Sequence, residues 1–199
     1  IPAGKAIHFT TVDAVLQKSR EMGLSTLNES ADYYGLALTL GDAEVRLLDL
    51  TNAYMIFDNG GIKKTPQDIV RIRNSKGNVL YARGRQSGQR VLGEDISFMI
   101  TDILSDNAAR VVEFGLHNIL EIDRPAAVKT GTTRNFRDNW TIGYTPDYVV
   151  GVWVGNNNNS EMHNITGVYG AGPIWHDVMV EIHRGKQTKQ FIPPAAVEK

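Results

Sequence analysis

The sequence predicts an α/β fold of the α+β kind, with packed helices followed by antiparallel strands. Three observations carry this. Apolar residues recur at helical spacing over 11–22, 45–58 and 94–104; from residue 126 the pattern turns to short β-branched and aromatic runs; and polar turns separate those runs.

Each element has its own local signal. Val12, Val15, Leu16 and Met22 share one side of a helix that Thr10 or Thr11 caps and Gly23 stops. The helix over 45–58 is apolar on most faces, with Leu47, Leu48, Leu50, Ala53, Tyr54, Ile56 and Phe57, so deep burial is expected before Gly60 and Gly61 end it. Ile69, Val70 and Ile72, then a polar turn over 74–78, then Val79, Leu80 and Tyr81 read as an exposed hairpin flap. Ile96, Met99, Ile100, Ile103 and Leu104 form the buried stripe expected of the next helix, and a shorter helix over 108–114 stops at Gly115. Strands follow at 126–133, 140–144 and 148–154. The last is apolar on both faces, which predicts a central position in the sheet, and the turn 145–147 joins it tightly to its neighbour. A final helix opens at Gly172 and Pro173 and runs to about His183. Residues 1–186 are then one domain part, and 187–199, with Pro193 and Pro194, a linker or tail.

Composition narrows the function. With 199 residues, 42% hydrophobic and 22% charged, the chain can bury a sizeable core. Lys plus Arg number 21 and Asp plus Glu 22, so the net charge is −1 and no basic surplus suits nucleic acid as a general partner. The absence of cysteine removes disulfides, thiol catalysis and cysteine-bound metals. No apolar run is long enough to span a membrane. His8, His117, His163, His176 and His183 form no ligand cluster, and Trp140, Trp153 and Trp175 sit among apolar neighbours as expected of core residues.

The chemistry concentrates at 128–133. Val128, Lys129, Thr130, Gly131, Thr132 and Thr133 put an ammonium, three hydroxyls and one bare backbone position on a single strand. Alternation sets Thr130 and Thr132 on one face and Lys129 on the other, from which its long stem reaches round. Gly131 lets a ligand approach the backbone. Such a strand can bind an extended peptide by strand addition while its hydroxyls and ammonium capture a carboxylate.

This stretch, with Arg124, Pro125 and Ala126 before it and Asp138, Asn139, Trp140, Ile142, Gly143, Tyr144, Val152, Trp153, Val154 and Gly155 after it, resembles the penicillin-binding transpeptidases, whose signature includes Lys-Thr-Gly. Asn52, Ala53, Tyr54 and Asn59, Gly60, Gly61 resemble a helix of the same family, and 105–115 and 170–179 are similar to class A members such as the penicillin-binding protein 1C branch. The resemblance implies a partial serine β-lactamase/transpeptidase-like fold and a cell-wall enzyme, extracytoplasmic or periplasmic and anchored in the cytoplasmic membrane. Its substrates would be peptidoglycan stem peptides ending in D-Ala-D-Ala, and its inhibitors β-lactams. No cofactor or metal is implied. Lys129 would bind the substrate carboxylate and hold the proton network, Thr130 and Thr132 would donate hydroxyls to that carboxylate, Gly131 and Thr133 would complete the binding edge, and the Thr132 N–H would be one oxyanion donor.

Two features depart from the family pattern. None of Ser19, Ser25, Ser30, Ser75, Ser87, Ser97, Ser105 or Ser160 is followed three residues later by Lys, so the nucleophile is absent. Ser105, Asp106 and Asn107 match the family's Ser-x-Asn in letters, yet they end a predicted helix, where such residues cap or break it. Ile1, Pro2 and Ala3 resemble the text that follows the true Ser-x-Asn. The chain is therefore expected to be the C-terminal half of a transpeptidase domain and inactive alone. Of five family strands only three would remain, leaving the 148–154 edge to be covered by the missing half, another chain or a symmetry mate. The alternatives are a DD-carboxypeptidase or β-lactamase, and a non-catalytic peptidoglycan-binding or β-lactam-sensing module. Residues 134–137 would line a donor groove or form a solvated turn.

Overall fold

The structure, a computed structural model, describes residues 2–84, 87–163 and 165–197. Ile1 of the N-terminal match and the last two residues of the tail lie outside the described residues. Helices α1 (Pro2–Thr10) and α2 (Val12–Met22) meet at Thr11, whose hydroxyl accepts the Ala14 N–H at 3.3 Å, and Gly23 closes α2 in the left-handed conformation. The sequence reading has no counterpart to α1, because nine residues with one buried side chain, Ile7, give little periodicity. A short helix α3 (Ala31–Tyr34) and a 3-10 segment (Gly35–Leu40) lead to α4 (Leu47–Asp58).

Burial of α4 is narrower than its composition predicts. Ala53 and Ile56 are buried, while Leu47 and Leu48 are exposed. After α4, Gly60 and Gly61 both take positive φ, and a Cβ on Gly61 would stand 2.2 Å from the Leu92 carbonyl oxygen, so only glycine fits there. Strands β1 (Ile62–Lys63), β2 (Arg71–Arg73), β3 (Val79–Ala82) and β4 (Gln89–Arg90) form two ribbons, β1 with β4 and β2 with β3. The second is the expected exposed hairpin.

Helix α5 (Glu94–Ser105) inverts its expected orientation. Ser97, Phe98 and Thr101 face inward, and Ile96, Met99 and Ile103 are exposed. Hydroxyls can be buried here because each is satisfied: Ser97 donates to the Gly93 carbonyl at 2.8 Å, and Thr101 meets the Ser97 carbonyl and the Tyr144 hydroxyl, both at 2.9 Å. Asp106 caps α6 (Asn107–Phe114) by accepting the Ala109 N–H, so the Ser105–Asn107 letters mark a helix junction, as expected.

The main sheet has three antiparallel strands, β5 (Ala127–Thr132), β6 (Asp138–Tyr144) and β7 (Val149–Gly155), in that spatial order. The expectation that the last strand is central is thus corrected: β6 is central and β7 outermost. What the apolar run recorded is cover on both faces, by α4 on one side and α7 (Ala171–His183) on the other. Gly151 admits α4, since a Cβ there would lie 2.0 Å from Thr51 Oγ1, and Gly143 admits Trp175 of α7 in the same way at 2.5 Å. Trp175 and Met179 are fully buried and join Leu120, Ala126, Val128 and Val168 in the core. Residues after α7 fold back onto this body, with Phe191 packed edge-on against Tyr144 and Lys189 paired with Asp147.

Candidate active site

Strand β5 is the other outer strand of the sheet, and its residues 129–132 with Thr133 form one wall of a cleft of about 1010 Å³. The opposite wall is the 40–45 segment with Leu47, Leu50 and Tyr54 of α4. Register sets Lys129 opposite Ile142 and Gly131 opposite Trp140, while Thr130 and Thr132 lie opposite Thr141 and Asn139. The alternation read from the sequence is therefore the one observed. A Cβ on Gly131 would meet only Trp140 Cβ at 3.5 Å, an ordinary contact, so this glycine is not demanded by packing and leaves the strand's backbone open to the cleft.

The threonines are held from behind. Thr132 Oγ1 accepts the Gly167 N–H at 2.9 Å, Thr141 donates to the Gly167 carbonyl at 3.1 Å, and Asn139 donates to the Ile165 carbonyl at 2.8 Å. A hydroxyl that already accepts keeps its own proton as a donor, so Thr132, which lines the cleft, can still donate to a ligand there. Thr133 closes the turn to β6: its N–H donates to the Asp138 carbonyl, and its hydroxyl both donates to the Asp138 carboxylate and accepts the Asp138 N–H, at 2.9 Å each. The other Asp138 oxygen accepts from Trp153 Nε1 at 2.8 Å. Asp138 thus orients the turn.

Lys129 supplies the site's charge. Its ammonium donates to the Thr130 carbonyl at 2.5 Å, and among the described residues no carboxylate pairs with it. Although the residue as a whole is exposed, loss of water around its amine lowers its pKa from the ordinary lysine value. An ammonium with no countercharge among the described residues, on a strand that also carries hydroxyls, has the chemistry to accept a carboxylate.

Other cleft residues escaped the sequence reading. Trp140 and Trp153, expected in the core, are half-buried and line the cleft, and only Trp175 is a core tryptophan. Their signal was the register itself, since Trp140 faces Trp153 across the ladder. The turn after β5 contributes Arg134, Asn135 and Arg137, with Asn135 and Phe136 both at positive φ and Arg137 paired with Glu161. No serine is among the described cleft residues, and no group of three or more His, Asp or Glu there could hold a metal. No described helix is long and apolar enough to cross a membrane.

Comparison with known proteins gives this geometry its context. No family model matches the chain. It is 35% identical over 184 residues to penicillin-binding protein 1A of Aquifex aeolicus, covering 92% of this chain and 24% of that protein. Against penicillin-binding protein 2D of Bacillus subtilis it is 30% identical over 202 residues, covering 99% of this chain and 28% of the relative. The crystal structure of penicillin-binding protein 1A from Haemophilus influenzae superposes with a TM-score of 0.80 at 25% identity, over 96% of this chain and 34% of that one. The chain thus spans about a quarter of the length of the curated relatives it matches. The fold, the Lys-Thr-Gly strand and these relatives agree: over nearly its whole length the chain is similar to one part of the penicillin-binding proteins, and its homologues are members of that family.

Proposed function

We propose that this chain carries the carboxylate-binding and oxyanion side of a serine DD-transpeptidase that cross-links peptidoglycan stem peptides. The observation that bears most weight is the ammonium of Lys129, paired with no carboxylate among the described residues, on an outer strand that also carries the Thr132 hydroxyl held by Gly167. A D-Ala-D-Ala tail would lie along β5 as an added strand, with its carboxylate on Lys129, Thr130 and Thr132 and its reacting carbonyl near the Thr132 N–H. Gly131 gives the tail its close approach, and Thr133 holds the turn that fixes the strand's end. A serine from outside this chain would attack the penultimate D-Ala carbonyl, release D-Ala and leave an acyl-enzyme, which a neighbouring stem-peptide amine resolves. β-Lactams, which the relatives' name says they bind, would use the same edge. The reading includes an extracytoplasmic site of action for a membrane-anchored longer protein, and inactivity of this chain by itself.

The same reading assigns the outer edge of β7 to further polypeptide, from the rest of the domain or another chain. Amide hydrogen exchange tests this: the β7 amides are expected to exchange slowly in the longer protein and quickly in this chain alone. Equal rates in both would remove the pairing.

Labelling the longer protein with fluorescent penicillin tests the site. Lys129→Ala should slow acylation by roughly 10²–10³-fold, the effect of losing one positioned electrostatic group. Undiminished acylation would sink the assignment. Reversible binding of a D-Ala-D-Ala peptide by the longer protein, with no covalent label from penicillin, would favour a non-catalytic binding module instead.

A further inference from the structure

Charge is segregated along this chain. Residues 63–90 hold eight of its 21 Lys and Arg and one of its 22 Asp and Glu, a net +7 against −8 for all the rest. The β2–β3 ribbon lies within that segment. Its strands pack substantially only on each other, every residue of both is exposed, and Ile69, Val70, Ile72, Val79, Leu80 and Tyr81 are between 42% and 66% exposed. Ile72 stands opposite Tyr81, while Arg71 and Arg73 stand opposite Ala82 and Val79 with an irregularity in register between Ile72 and Arg73, so the Ile72–Tyr81 pair is flanked along the ribbon by the two arginines. Among the described residues, no carboxylate pairs with Arg71, Arg73, Lys76 or Arg83. The turn is nonetheless built: Asn74 Oδ1 accepts the N–H groups of Lys76 at 3.0 Å and Asn78 at 2.9 Å, and Gly77 takes φ 84°.

We propose that this ribbon docks on an anionic phospholipid surface, its Ile72–Tyr81 pair entering the interface and its arginines meeting the headgroups. Charge complementarity requires an anionic partner, and the apolar side chains decide its kind. A soluble polyanion would leave six large hydrophobic groups in water, and a folded partner would need a concave surface to enclose a thin ribbon. A bilayer interface receives both components at once and imposes no fixed pair geometry. Near such a surface each Lys or Arg strengthens binding by about fivefold. This inference does not depend on the transpeptidase reading.

Vesicle co-sedimentation of the full chain provides the test, using phosphatidylcholine with and without phosphatidylglycerol, at roughly 0.1 and 0.5 M salt. The chain should sediment with the anionic vesicles, less at high salt, and not with phosphatidylcholine alone. R71Q/R73Q should weaken binding by about 30-fold and Lys76→Gln by about fivefold, while R71K/R73K keeps it. I72S/Y81S should weaken it at both salt concentrations. All variants lie outside the core, so the thermal unfolding transition should be unchanged, and Lys76→Gln, at the exposed turn, keeps the test intact if a ribbon variant misfolds. No sedimentation, equal sedimentation with neutral vesicles, or binding to soluble polyglutamate that I72S/Y81S leaves intact would each overturn the proposal, the last in favour of a soluble polyanion.

Discussion

The main sheet has two outer strands, and their difference separates the edge proposed for a ligand from the edge proposed for further polypeptide. Both β5 and β7 present one side of their backbone without a partner strand among the described residues. On β5 that side runs beside Lys129, Thr130, Gly131 and Thr132, groups that attract an anion and need no further cover. On β7 it runs beside Val149, Val150, Val152, Trp153 and Val154, apolar side chains that are half-buried with α4 and α7 packed on the strand and that offer no group to a charged ligand. Identical backbone chemistry therefore acquires different uses from its side chains. The glycines repeat the contrast: Gly131 on β5 has room for a methyl group, whereas Gly151 on β7 is pressed against Thr51.

Substitutions can break or sharpen this contrast. The largest effect should come from the support both edges share. Trp175→Ala removes a fully buried ring from beneath the central strand and should lower stability by about 3–5 kcal/mol in urea unfolding. A loss below about 1 kcal/mol would mean that the two edges are held independently. Next, Gly151→Val should cost about 1–3 kcal/mol by forcing α4 away from the sheet. Gly131→Ala should leave the unfolding midpoint nearly unchanged while weakening β-lactam acylation in the longer protein. If the two glycine variants destabilise equally, the distinction between the edges fails.

A pH effect of about 1 kcal/mol is expected near β7. Burial, followed by repulsion from Asp147, raises the Asp58 pKa from 3.8 to about 6. The folded-state value is the higher one, so the protein favours protonated Asp58. Stability tied to it is fully present below the unfolded value and is lost as pH rises to about 6 and beyond. Asp58→Asn should then stabilise the chain by about 1 kcal/mol at neutral pH, a modest figure because the carboxyl is only partly buried, and by nothing in acid. Unfolding curves at both pH values decide this. The smallest effect is the pH dependence set by Lys129. Its pKa is lowered by desolvation, so carboxylate binding should fade as pH rises through a value below that of an ordinary lysine, and Lys129→Arg should move that loss to higher pH.

Much of this was legible in the residues. The Lys129–Thr133 strand, its turn through Asp138, the capped helix after Thr11 and the exposed hairpin follow from local chemistry that acts within a few positions. Local pattern failed where partners decide orientation. The α5 stripe of Ile96, Met99 and Ile103 has the spacing of a buried face, yet Ser97 and Thr101 are turned inward because Tyr144 and nearby carbonyls satisfy their hydroxyls. Trp140 and Trp153 have core composition, but the register sets them in the cleft.

By itself the sequence determined which segment carries an ammonium, hydroxyls and a bare backbone position, because side-chain chemistry and strand alternation are properties of neighbouring residues. Only the tertiary structure decided that β5 and β7 are the outer strands, that α4 and the 40–45 segment face the Lys129 strand, and that Gly167 holds Thr132 from behind. Those relations join residues far apart in the chain, where packing rather than local preference sets which side of an element meets solvent.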